Sequence, residues 1–247
     1  DNPVKMPTVL NAFAGFPLVH YTPSVVIDPN ESILMKFLFE VYNHSNSDMK
    51  QLNYILDFLA WKIQIPARRS ERIWCIVGKI QGTGKSTFFE ILEMLFGNEL
   101  ALSHYTLESL VSCKFNSVNS CKLAHFVDDL HGACTQSMTR KLFSMCTSHK
   151  IRYEAKGETP VTLDEYAEII LSANSDSPLY VAPEDRRQVI LKISPCWKGK
   201  TQKFNQLYRE LSDKNVAHAW FQMLLKRNIA DFDPCHTDPP YNATSAA

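Results

Sequence analysis

An α/β fold with a parallel-type central sheet, flanked by helices at both ends of the chain, is what this sequence predicts. Three observations carry it. Trp74-Cys75-Ile76-Val77 packs apolar residues without helical periodicity, a glycine-rich loop follows, and Lys85-Ser86-Thr87 leads into the helical run Phe88-Phe89-Glu90-Ile91-Leu92. Further apolar runs at 122–127, 167–173 and 188–193 recur downstream with helical or polar stretches between them, and alternating strands and helices build parallel sheets. At 247 residues and 45% hydrophobic, the chain is also long and apolar enough for one large domain or two small ones.

Strand, glycine loop and helix in that order are the setting of a phosphate-binding loop. Glycines let backbone N–H groups close around phosphate oxygens, and the helix N-terminus adds partial positive charge. In Gly82-Thr83-Gly84-Lys85-Ser86-Thr87, Lys85 is placed to reach the β- and γ-phosphates of a nucleotide and the Ser86 hydroxyl to ligate Mg²⁺. The usual pattern puts a first glycine five residues before Gly84, where this chain has Lys79; Gly78 lies one residue early. The loop is therefore either lengthened by one residue or entered through Lys79.

Ahead of the loop, residues 1–30 are rich in proline and read as an extended lead-in pinned by Phe13, Phe16 and Leu18. Helix signals begin at Asp28-Pro29, with Ile33, Leu34, Phe37, Leu38 and Val41 at helical spacing. After a polar break at 43–48, a second helix carries Leu52, Ile55, Leu56, Leu59 and Ala60, and Pro66 stops it. The two helices read equally as a collar-like subdomain and as a cover for the sheet. The sequence thus divides into an N-terminal part, 1–71, a nucleotide-binding core, 72–195, and C-terminal helices with a tail, 196–247.

Beyond the loop, its helix ends near Gly97 and serine and leucine alternate between His104 and Val118. The strand at 122–127 ends in Asp128-Asp129. An apolar strand ending in paired acids is the expected partner of a phosphate loop: one acid holds the Mg²⁺ shell and the next orients and deprotonates the attacking water. Asp128 is assigned to the metal and Asp129 to the water, although two acids after a strand, taken alone, fit a solvated turn. Residues 137–148 read as a helix. Residues 150–166 alternate as a hairpin with Lys156-Gly157 near its tip. Lys150, Arg152 and Lys156 form the densest basic group near the core and suit a phosphate backbone; the bland alternative is a solvated turn.

The strand at 167–173 ends in Asn174, whose amide suits the γ-phosphate or the attacking water, or, alone, a turn. Asp185-Arg186-Arg187 leads into the last strand. Such arginines are ordinarily surface charges or local ion pairs, but in an oligomeric ATPase one reaches a neighbour's γ-phosphate. From Lys198 the pattern is helical, with Phe204, Leu207, Tyr208 and Leu211, then 216–225, and residues 231–247 read as a loose tail.

With these elements in order, the chain resembles the superfamily 3 helicases, and more closely their viral and phage primase-helicase branch. GKIQGTGKSTFF, LAHFVDDL, the 150–166 hairpin, IILSANSDSPL and PEDRRQVILKIS carry the resemblance, which covers 72–194 well and the helical flanks loosely. It implies an AAA+-like core that assembles as a ring, usually a hexamer, with ATP between subunits. It further implies that Lys85 and Ser86 serve phosphates and Mg²⁺, that Asp128 and Asp129 form the acidic motif, and that Asn174 is the sensor. Lys156 would face DNA, single-stranded or duplex, in the pore, and Arg186 or Arg187 would act in trans. Two departures stand out: the second acid is commonly Glu in the family, and Lys79 replaces the entrance glycine. No primase-like site is visible, so priming or polymerase activity would belong to another part of a longer protein.

Composition sets bounds on this. Lys+Arg and Asp+Glu are both 26, so any basic surface must be local. The seven cysteines form no CxxC pair and no zinc-ligand spacing, which predicts reduced thiols in an intracellular protein, in host cytoplasm or nucleus. No signal peptide and no apolar run long enough to span a bilayer is present, so no membrane partner is expected. The chain begins at Asp1 rather than Met, which predicts a piece of something longer. Two rival readings use the same loop differently: a phosphotransferase acting on a small substrate, and a nucleotide-gated binding module in a replication complex.

Overall fold

Five parallel strands form one sheet in the order β2-β3-β6-β1-β7: β1 (Ile73–Val77), β2 (Ala101–His104), β3 (Ala124–Leu130), β6 (Glu168–Ala173) and β7 (Gln188–Lys192). A separate antiparallel hairpin, β4 (Lys150–Tyr153) and β5 (Val161–Asp164), precedes β6. The structure is a computed structural model, and it describes residues 13–42, 49–130, 134–175, 178–180 and 185–240, with the backbone alone at Asp129. The start of the lead-in (1–12), the polar break at 43–48, Glu184 and the chain end (241–247) lie outside the described residues.

The central strands are buried on both faces, which is why they read as unbroken apolar runs. On one face Ile73, Cys75, Val77, Ile169, Leu171 and Ile190 pack with α4 (Leu107–Val111) and α5 (Gln136–Thr147). On the other, Trp74, Ile76, Phe126, Ile170, Val189 and Leu191 meet a larger helical layer. That layer is α1 (Ile33–Tyr42), α2 (Lys50–Gln64), α3 (Thr87–Phe96), α6 (Thr201–Leu211) and α7 (Lys214–Lys226). Helices from both ends of the chain thus share one core over one face of the sheet. Phe16 and Leu18 of the lead-in are buried in it.

The structure differs from the sequence reading in two places. The alternating stretch after Gly97 contains an edge strand, β2, and the short helix α4, capped by the Thr106 hydroxyl accepting from the Ser109 N–H. Residues 231–240 are anchored rather than loose. The Arg72 guanidinium donates to the carbonyls of Thr237 (2.7 Å) and Cys235 (2.8 Å), and the Phe232 ring meets Tyr54 edge-on at 5.3 Å.

One charge sits deep in this packing. Lys62, on the last turn of α2, is fully buried and its Nζ lies 3.5 Å from the Glu168 carboxylate at the start of β6. Burial pushes its ammonium down from 10.5 to about 8, against the opposing pull of Glu168. Between those two values the unfolded chain holds a proton that the folded chain has released, so this residue makes stability rise with pH across that window. The span corresponds to an effect on the order of 3 kcal/mol. Urea unfolding at pH 7.5 and pH 10 should therefore show a smaller gain, or a larger loss, for Lys62→Met than for the unsubstituted protein; identical pH differences would contradict this reading.

Candidate functional site

In a parallel sheet every strand delivers its carboxyl end to the same edge, and the crevice there is where such sheets bind ligands. Here β1, β3 and β6 deliver the glycine loop, Asp128 and Asn174 to that edge. At the loop's entrance the Gly78 N–H donates to the Ala173 carbonyl at 3.2 Å. A Cβ on Gly78 would lie 2.7 Å from Ile193 Cγ1, so the tight entrance is built on Gly78, with Lys79 following it.

Gly82 and Gly84 have φ of 70° and 98°, the left-handed region that glycine adopts freely. Gly84 has a second reason to be glycine. A Cβ there would lie 2.8 Å from the Phe37 ring of α1 and 3.3 Å from Phe204 of α6. Thr83 Oγ1 donates to the Ile80 carbonyl at 3.1 Å and closes the loop on itself. Lys85 is buried and donates to the carbonyls of Gly78 and Ile80, both at 3.1 Å. Its ammonium thus already lies within the loop's curve. Thr87 starts α3 and is buried, its Oγ1 3.5 Å from the Tyr208 hydroxyl.

A one-residue bulge sits at the acidic pair: Val127 pairs with Leu171 but Leu130 with Ala173, three steps on β3 against two on β6. Bulges bend a strand and re-aim its side chains. Asp128 is so aimed that the Ser86 hydroxyl lies 2.9 and 2.8 Å from its two carboxylate oxygens, and the Ser172 hydroxyl donates to Oδ1 at 2.8 Å. A hydroxyl and a carboxylate in contact are hard oxygen donors of the kind Mg²⁺ takes, together with substrate phosphates. The residues present therefore fit the ion. Asp129 has its backbone in β3, while its side chain lies outside the described residues.

These groups line a cavity of about 470 Å³ with Gln81, Gly82, Thr83, Gly84 and Asn174. Two residues that sequence reasoning treated only as a helix's apolar face, Phe204 and Tyr208 of α6, complete its wall. Their rings lie 6.0 Å apart and 25° from parallel, and Phe204 is held edge-on by Trp197 at 5.4 Å. Ser172 belongs to the site too, and the one mark it carries in sequence is a lone hydroxyl inside the apolar run IILSA.

The remaining sequence-chosen residues lie elsewhere. Arg186 and Arg187 precede β7, whose first residue pairs with Ile73 at the entry of β1. They are separated from the phosphate edge by the strand's length, roughly 16 Å at about 3.3 Å per residue, beyond the reach of an arginine. Arg187 donates Nε and Nη2 to Asp185 at 2.9 and 2.6 Å, and its guanidinium lies 4.0 Å from the Phe143 ring centre. The guanidinium holds the Asp185 carboxyl below its ordinary value. Arg186 is exposed.

Lys150, Arg152 and Lys156 are exposed on the hairpin, Lys156 and Gly157 forming its turn. Lys150 pairs loosely with Asp164 at 3.8 Å. A neighbouring segment with no motif of its own docks on this hairpin. The Asn116 amide donates to the Arg152 carbonyl (3.1 Å) and accepts from the Glu154 N–H (2.9 Å), and the Ser117 N–H donates to the Glu154 carbonyl (3.3 Å). That segment exposes Phe115, with Lys114 Nζ 5.5 Å over its ring. An exposed aromatic ring and a further lysine thus sit in the segment that docks on the hairpin.

Comparison with known proteins agrees with the fold. Residues 76–187 match a family of unknown function, DUF5906. Apo structures of the NrS-1 C-terminal region share the architecture. One has TM-score 0.73 at 19% identity, covering 94% of this chain and 53% of that one; a second has TM-score 0.69 at 22% identity, covering 88% and 50%. The chain thus spans about half the length of the structures it matches. A JCV helicase structure overlaps more loosely, at TM-score 0.41 and 16% identity over 83% of this chain and 64% of that one, too distant to carry an argument. No curated protein matches.

The loop geometry separates its two left-handed glycines. Gly84→Ala meets both an unfavourable φ and the Phe37 ring, and should abolish binding of a fluorescent ATP analogue. Gly82→Ala has open space for its methyl and carries only the backbone penalty, about 1–2 kcal/mol, so it should weaken binding by roughly an order of magnitude. Equal effects in the same titration would contradict the packing account.

Proposed function

We propose that this chain is the ATPase core of a ring-forming, superfamily 3-type helicase or translocase that acts on DNA in the replication of a virus, phage or mobile element. The observation that carries the reading is the layout of β6. One strand runs from the foot of an exposed basic hairpin to Ser172 and Asn174 at the nucleotide edge, with the phosphate-loop strand beside it. A phosphotransferase of small substrates does not require basic side chains exposed along such a hairpin.

In this reading the loop amides and Lys85 hold the β- and γ-phosphates of ATP, while Ser86 and Asp128 hold Mg²⁺, which neutralises charge on the phosphates. Asp129 takes the proton of the attacking water, and Asn174 orients that water or the γ-phosphate. The nucleoside rests against Tyr208 and Phe204. An arginine from the adjoining subunit completes the site. Arg186 suits that role better than Arg187, because Arg187 is already engaged by Asp185 and the Phe143 ring. The distance of both arginines from their own phosphate edge favours sites between subunits; a closed ring, with six the expected number, is what the resemblance to superfamily 3 helicases implies. Lys156 and Arg152 follow the DNA backbone, and Phe115 offers a face on which a base can stack. A linked primase or polymerase part, and residence in host cytoplasm or nucleus, belong to the same proposal.

ATP hydrolysis measured with and without single-stranded DNA tests it, beside Lys85→Ala. Stimulation of about fivefold or more by DNA, absent in Lys85→Ala, is expected, and Lys156→Ala should lose stimulation while basal hydrolysis stays within about twofold. Hydrolysis indifferent to nucleic acid would favour the phosphotransferase, and DNA binding without turnover the gated module. A further outcome separates the arginines. Arg186→Ala should cut hydrolysis by 10³-fold or more with unchanged melting temperature, whereas Arg187→Ala should chiefly lower the melting temperature.

A further inference from the structure

A two-stranded hairpin is marginally stable alone, and β4 and β5 pair only with each other among the described residues. What fixes its position is therefore a question of its feet. The incoming foot meets Arg69 of the short segment 65–72, which links α2 to β1, and the outgoing foot meets Lys62 of α2, which itself holds that segment. Arg69 Nη1 donates to the carbonyls of Met145 and Ser148, each at 2.9 Å, at the end of α5 immediately before β4. Lys62 Nζ donates to the Tyr166 carbonyl at 2.6 Å, just after β5, and to the linker carbonyls of Arg68 (2.7 Å) and Pro66 (3.3 Å).

The grip is closed by Glu168, which takes the Ser70 N–H at 2.9 Å and the Ser70 hydroxyl as well as facing Lys62. The two feet are joined directly where the Glu165 N–H donates to the His149 carbonyl at 2.9 Å. Arg69, Ser70 and Glu168 are all buried, so these are charge-assisted contacts in a protected setting. Within the linker Glu71 has φ 54°, a left-handed conformation uncommon for a non-glycine residue, as expected where surrounding contacts impose the backbone path.

We infer that the end of α2 and the 65–72 linker together are the mount of the hairpin, with Arg69 of the linker positioning its incoming strand and Lys62 of α2 its outgoing strand, so that the hairpin moves with the α2 layer. The inference rests on the reading of the hairpin as the DNA-contacting element. A lever with a loose base transmits no displacement, and the hydrogen bonds at these feet are what make this base stiff. Arg69 and Lys62 touch neither nucleotide nor DNA; they act through the hairpin's feet.

The test compares Arg69→Met, Arg69→Lys and Lys156→Ala in the whole protein, using a fluorescent oligothymidylate for affinity and ATP turnover with and without it. Arg69→Met should keep basal hydrolysis within about twofold, weaken oligothymidylate binding at least fivefold and lose stimulation. Arg69→Lys should recover part of both, because an ammonium can reach one of the two carbonyls. Wild-type affinity and stimulation in Arg69→Met would overturn the inference, provided Lys156→Ala is defective. If Lys156→Ala also binds and responds normally, the hairpin reading itself has failed. Should Arg69→Met fail to fold, hydrogen exchange of the unsubstituted protein decides: oligothymidylate should slow exchange in 66–72 together with 150–164, and protection confined to the hairpin would overturn the mount.

Discussion

A parallel sheet fixes where chemistry can occur before any side chain is chosen. All carboxyl ends of its strands lie on one edge, so a loop after β1, an acid at the end of β3 and a polar residue at the end of β6 must meet there. In this chain the strand order puts β6 between β1 and β3, which leaves a step to be bridged between Ser86 and Asp128. The bulge at Asp128 bridges it, and Ser172 from the intervening strand joins the same carboxylate. Remove the parallel alignment and none of these contacts survives, because each comes from a different segment of sequence.

The second constraint is steric. The phosphate loop does not stand free; its Gly84 lies against Phe37 and Phe204, and those rings pack on Trp197. The helices at the two ends of the chain therefore do more than cover the sheet. They form the aromatic wall against which the loop takes its left-handed turns, and α6 goes on to supply the far side of the cavity through Tyr208. The shape of the glycine loop and the packing of α1 against α6 are thereby linked through the same few rings. A shift of α6 relative to α1 would alter the loop's support and the cavity wall together.

How much of this the sequence disclosed follows from the range of the forces involved. The apolar runs of β1, β6 and β7 were legible because burial on both faces demands them, and the glycine loop because its φ values demand glycine. The edge strand β2 was not: it is four residues long and ends in His104, a polar residue that belongs inside only because His125 of β3 lies 3.1 Å away. Residues 231–240 look loose by their prolines and are held by Arg72, a residue 163 positions from Cys235. Phe204 and Tyr208 present the same letters whether they face a core or a cavity. Lys62 and Arg69 carry no motif at all, since carbonyl oxygens from distant turns are what they bind. The residues of the glycine loop are local and readable; the wall and the hairpin's feet are tertiary and silent.

This division bears on how a change at one edge of the sheet reaches the other. The nucleotide edge and the hairpin lie at opposite ends of β6, a strand buried along its length and paired on both sides. Such a strand has no room to slide, because sliding by one residue would exchange its two buried faces. Strain at Ser172 or Asn174 therefore moves β6 with the sheet rather than along it. The hairpin, by contrast, hangs on Arg69 of the linker and Lys62 at the end of α2. A change in the hairpin's pose relative to the sheet must therefore pass through the linker and the end of α2, which hold its feet and are tied to β6 by Ser70 and Glu168. Arg186 lies at the entry end of the strands, exposed and a strand's length from its own glycine loop, so in the proposed ring it is the group left to meet an adjoining subunit.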